Sequence, residues 1–120
     1  MIDIRRIMTL NDYIRKRGLS LVTDGNTKKI LLDDYEIRIE ERRVILPIPL
    51  PTGKETLDDL LSMGIKYARA SRISQLLGSP LEYSIEGNTV FVIKKFESEK
   101  SLEDSLIKAL DGIEGLRYFL

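Results

Sequence analysis

Leu81-Glu82-Tyr83-Ser84-Ile85-Glu86-Gly87-Asn88-Thr89-Val90-Phe91-Val92-Ile93-Lys94-Lys95-Phe96 is the clearest hairpin signal in the chain. Gly stands first in a two-residue turn, between two runs of strand formers. After the turn, residues 90–93 are continuously apolar, which places that strand in the interior of a sheet.

Reading upstream, Gly78-Ser79-Pro80 ends a preceding element. Thr52-Gly53-Lys54-Glu55 and Thr56-Leu57-Asp58-Asp59 both resemble capping boxes. A long helix is therefore expected from 55 to 77. Before it, Val44, Leu46, Ile48 and Leu50 keep a period of two, with Pro47, Pro49 and Pro51 in the other phase. Proline cannot donate to a ladder, so this strand should be an edge at its far end. Glu41-Arg42 turns the chain, and Tyr35, Ile37 and Ile39 alternate with Glu36, Arg38 and Glu40 in a strand with one wet face. Residues 29–32 read as extended, Asp24-Gly25-Asn26 as a turn and 19–23 as a short strand. Thr9 caps a helix over 9–17 that Gly18 stops. Downstream of the hairpin, Ser101-Leu102-Glu103-Asp104 caps a last helix through Leu110, which Gly112 and Gly115 fray. The chain closes on Tyr118-Phe119-Leu120, three apolar residues that dock either on their own core or on a partner.

The fold class that follows is α+β over residues 1–120 as one domain: an antiparallel sheet of about five strands with helices packed on it. The element order is α-β-β-β-α-β-β-α. That order resembles the fold of class I type III secretion chaperones and of the related YbjN-like proteins. The resemblance rests on Asp34-Tyr35-Glu36-Ile37-Arg38-Ile39-Glu40, on Arg43-Val44-Ile45-Leu46-Pro47-Ile48-Pro49-Leu50-Pro51, and on the long helix, hairpin and terminal helix that follow. It implies a small, non-catalytic homodimer that binds extended segments of partner proteins.

Composition narrows the chemistry. Among 120 residues there is no His, Cys or Trp, so imidazole and thiol catalysis and disulfides are absent. Paired acids at Asp33-Asp34, Glu40-Glu41, Asp58-Asp59 and Glu103-Asp104 could serve a carboxylate enzyme. Adjacent acids on a strand point to opposite faces, however, and acids at helix starts are explained by capping and the helix dipole. No catalytic residue, metal site or cofactor is expected, since no phosphate-cradling glycine loop and no complete calcium loop appears. No apolar run approaches the roughly 20 residues of a membrane span, and the cytoplasm is the default location. One Gln, three Asn and abundant mixed-sign charge lean towards a thermophile source.

Lys plus Arg equals Asp plus Glu at 19 each, whereas a nucleic-acid binder usually carries a basic excess. A nucleic-acid-associated factor would need a local patch, for which Arg42, Arg43, Lys94 and Lys95 are the candidates. The leading expectation is a protein–protein interaction domain, chaperone- or adaptor-like, that self-associates. It rests on the long helix. Leu57, Leu60, Leu61, Gly64, Ala68 and Ser71 form one stripe, and Met63, Tyr67 and Ala70 extend it along one flank. The arc is about 180° wide, more than the roughly 100° that one sheet contact requires. One flank is expected on the sheet and the other on a second subunit, with Met63, Gly64, Tyr67, Ala70 and Ser71 at the interface.

Overall fold

The computed structural model describes residues 9–33 and 35–117, with side chains described as far as Ile113. The N-terminal segment 1–8, Asp34 and the apolar tail Tyr118-Phe119-Leu120 lie outside the described residues. Helix α1 (Leu10–Lys16) leads into strands β1 (Ser20–Asp24), β2 (Thr27–Leu32), β3 (Tyr35–Glu40) and β4 (Arg43–Pro49). Helix α2 (Leu57–Leu77) crosses to the hairpin β5 (Glu82–Glu86) and β6 (Thr89–Lys95), and helix α3 (Glu99–Arg117) follows. The fold is α+β. The strands form one antiparallel sheet of six in the order β1-β2-β3-β4-β6-β5. Sequence reading fell one strand short of this, because it left the 19–23 segment out of the element order. Asp24 in fact pairs with Thr27 around Gly25, whose φ is +61°.

The hairpin forms as its sequence dictates. Gly87 takes φ +58° at the first turn position, which L side chains resist, and β6 lies inside the sheet between β4 and β5. Cross-strand pairs show how the faces divide. Ile30 lies opposite Ile37, Leu32 opposite Tyr35, Ile39 opposite Val44 and Leu46 opposite Val92. All eight are buried, in one cluster with Leu10, Tyr13 and Ile14 of α1, Ala70, Ile73 and Leu77 of α2, and Leu102, Leu106, Ala109, Leu110 and Ile113 of α3. The helices therefore cover this face. The opposite phase carries ion pairs: Arg38–Glu36 at 2.8 Å, Arg43–Glu40 at 3.6 Å and Lys95–Glu82 at 3.3 Å.

β4 lies between β3 and β6 at its start and is an edge on the β3 side at its far end, as expected from its prolines. Leu50 N–H donates to Asn88 O and Phe96 N–H donates to Arg42 O, so the even-numbered residues of β4 face β6. Pro47 and Pro49 would have donated to β3. The β3–β4 ladder runs from Glu40↔Arg43 to Arg38↔Ile45 and stops there, while β4–β6 pairing continues to Pro49↔Thr89. Tyr35 Oη donates to the Pro47 carbonyl at 3.0 Å in the parting. Burial pushes the Tyr35 phenol above its ordinary pKa, which keeps it a donor.

Two helix boundaries also differ from expectation. Helix α3 starts behind Ser98, whose Oγ accepts the Ser101 N–H at 3.1 Å, and it runs through both Gly112 and Gly115 to Arg117. Gly112 marks a close approach rather than a frayed end. A Cβ there would stand 2.7 Å from Leu76 Cδ1 of α2. Of the two sequence capping boxes, Thr56 with Asp59 starts α2. Thr52 with Glu55 forms a separate turn before it.

Candidate functional site

Helix α2 docks by a narrow face. Ala70, Ile73 and Leu77 are its buried residues, spaced for one side of a helix. The leucine stripe lies on the other side. Leu57 is 72% exposed, Leu60 46% and Leu61 60%, with Ile65 and Tyr67 exposed beside them. Sequence reading expected one flank of this arc on the sheet and the other on a second subunit. The sheet instead takes Ala70 and its helical neighbours, and the stripe faces outwards. Ala70, small and fully buried, lies in the core cluster with Val44 and Leu46 of β4, whereas Leu57, Leu60 and Leu61 lie on the opposite side of the helix.

The five residues expected at an interface are not equivalent. Gly64 and Tyr67 are exposed, Met63 and Ser71 are half-buried, and Ala70 is closed off by the chain's own core. A Cβ added at Gly64 would meet nothing within 4 Å.

A second apolar feature sits beside the first. β5 is a sheet edge, and its helix-side residues Tyr83 and Ile85 are 68% and 69% exposed. Between them and α2 runs a groove of about 410 Å³ with Tyr67 and Ser71 on one wall, Tyr83 on the other and Ile48 and Val92 on the floor. Sequence reading missed this groove. The exposure of Tyr83 and Ile85 follows from sheet order, which puts β5 at the edge.

The basic residues do not converge. Arg43 and Lys95 are cross-strand partners on the outer face, while Lys94 pairs with Val44 in the opposite phase. Each is engaged: Arg43 with Glu40, Lys95 with Glu82, Lys94 Nζ with the Pro80 carbonyl and Arg42 Nη1 with the Glu97 carbonyl. Among the described residues no acidic side chain is buried, and no group of three acids is placed to hold a metal ion. Glu41, Glu99 and Glu103 rim a cavity of about 290 Å³ beside Leu10 and Lys28, and Glu103 accepts the Leu10 N–H at 3.1 Å. No helix of the described residues is long and apolar enough to cross a membrane. No family model, curated protein or solved structure matches the chain.

Proposed function

We propose that the chain is a non-enzymatic protein–protein interaction domain, chaperone- or adaptor-like, that self-associates through the outer stripe of α2. The supporting observation is the exposure of Leu57, Leu60, Leu61, Ile65 and Tyr67 on one helix. The largest apolar patch on a monomer is usually about 300–600 Å². A single aromatic side chain can bury roughly 150–250 Å². Tyr83 of β5 adds a further exposed aromatic across the groove from Tyr67.

A second copy suits this surface. Gly64 and Ala68 sit within the stripe and permit close approach of another helix. Antiparallel pairing of two stripes about an axis near Gly64 sets Asp58 in the first turn of one copy opposite Arg72 of its mate. The free ladder side of β5 is where an extended segment of another protein would add. The same reading keeps the cytoplasm as its setting and a thermophile as its source, on composition alone.

Tyr67→Glu tests it. Tyr67 is 59% exposed in the single chain, so the variant should fold as well as the parent. In a dimer the same glutamate would lie unpaired in a desolvated interface, at a cost of several kcal/mol. Sedimentation should show a folded monomer for the variant and a dimer for the parent. A parent chain that is monomeric at about 100 μM, where even a micromolar dimer is mostly assembled, would refute self-association.

A further inference from the structure

The parting of β3 from β4 leaves a cavity of about 210 Å³. Side chains of both sheet faces reach it: Glu36, Arg38 and Phe91 from the outer phase, and Tyr35 with Lys66 of α2 from the helix side. The carbonyl of Glu36 has no ladder donor opposite it, because Pro47 has no N–H.

Lys66 occupies an unusual position. It stands four residues before Ala70 and seven before Ile73, both fully buried, and so shares the docking face of α2. That place in an amphipathic helix is ordinarily apolar. Here the sheet below is parted. The lysine is half-buried and forms no hydrogen bond or ion pair among the described residues. Arg38 lies 5.5 Å from the Phe91 ring centroid and donates Nε to Glu36 at 2.8 Å, which leaves its other N–H groups for a ligand. Lys29 also reaches Glu36, at 3.9 Å. Two cations, Arg38 and Lys29, thus pair with the Glu36 carboxylate, while Lys66 lines the same cavity from the helix side.

We propose that this parting is a binding site for a small oxyanion, a phosphate or carboxylate group, held between Lys66 and Arg38. The cationic lining selects the class, and the volume suits a small group. Drug-sized ligands occupy pockets of about 300–1,000 Å³, larger than this one. The cavity has room for inorganic phosphate or a short carboxylate group between its side chains. The site is on a different surface from the α2 stripe and does not depend on self-association.

The test is an amide NMR titration of the full chain at fixed ionic strength, with inorganic phosphate in one arm and succinate in the other. At least one anion should shift the Glu36, Thr89 and Phe91 amides saturably. Lys66→Met and Lys66→Gln should each weaken that binding tenfold or more while keeping the folded spectrum. Saturation by phosphate alone assigns a phosphate ligand, by succinate alone a carboxylate ligand, and by both the shared oxyanion chemistry. The proposal is overturned if neither anion saturates by about 10 mM, ten times a millimolar dissociation constant. It is equally overturned if both variants bind as tightly as the parent.

Discussion

Glu55 shows how one side chain can organise the entry to a helix. Its carboxylate accepts the Thr52 N–H and hydroxyl, each at 2.7 Å, and the Gly53 N–H at 2.9 Å. These donors, the Thr52 backbone foremost, hold its pKa down to about 2. The folded-state value lies below the unfolded one. Whatever the turn contributes is therefore present above the ordinary glutamate range and is lost as pH falls through about 2. A carboxyl-detected NMR titration should give Glu55 a midpoint near 2, and Glu55→Gln should remove the pH dependence of the 52–55 turn between there and pH 4.5. A midpoint in the ordinary range would mean that the turn opens in solution. The sequence pattern showed that Thr52 and Glu55 belong together. It did not show that they close a turn instead of starting α2, since Thr56 and Asp59 carry the same signal four residues on.

Among the elements, β4 makes the clearest case of residue identity acting at a distance. Its prolines are legible in the sequence as a missing row of donors. Which neighbour loses them is not legible, because that depends on the phase of pairing with β6. Pro47→Val supplies an N–H aimed at the Glu36 carbonyl. The new hydrogen bond should gain about 0.5–1.5 kcal/mol. The freer unfolded chain returns about 0.4–1 kcal/mol of that. Stability should hardly change. The residue 47 amide should nevertheless be protected from hydrogen exchange, with the β3–β4 ladder lengthened to Glu36. An amide there that exchanges like an exposed one would show that something other than proline parts the strands. Helix α2 illustrates the opposite limit. Its apolar arc was readable, but the docking face is the one that carries Ala70 and Ile73, in the core cluster with Val44 and Leu46 of β4, and not the one that carries the leucines.

For the whole molecule, the α+β class, the hairpin and the caps at Thr9 and Thr56 followed from local patterns that tertiary packing left unchanged. Sheet order and the exposure of β5 did not, because they are set by a crossover with no local signal. Charge is the property that composition conveys best. With zero formal charge, and Arg42, Arg43, Lys94 and Lys95 divided between two faces, the chain should attract phosphate backbones weakly. Duplex DNA should bind no tighter than about 10⁻⁴–10⁻⁶ M at physiological salt, with affinity falling as salt rises. Replacing those four residues with Ala should abolish it. A sequence-specific complex near 10⁻⁸ M in a filter-binding or fluorescence titration would overturn this expectation and favour a nucleic-acid role.

The order β1-β2-β3-β4-β6-β5 also divides the chain in time. From β1 to β4 every ladder joins strands adjacent in sequence, and so does β5 with β6. The β4–β6 ladder alone spans α2 and β5, so the entropy of closing that loop must be met before its contacts form. The β1–β4 meander and the β5–β6 hairpin should assemble quickly and then join along one slow seam. Changes within β2, already paired when the barrier is crossed, should slow folding, while mutations on the seam such as Val92→Ala, whose contacts follow loop closure, should mainly speed unfolding. Equal effects of both on the folding limb of a denaturant chevron would show that the two halves condense together.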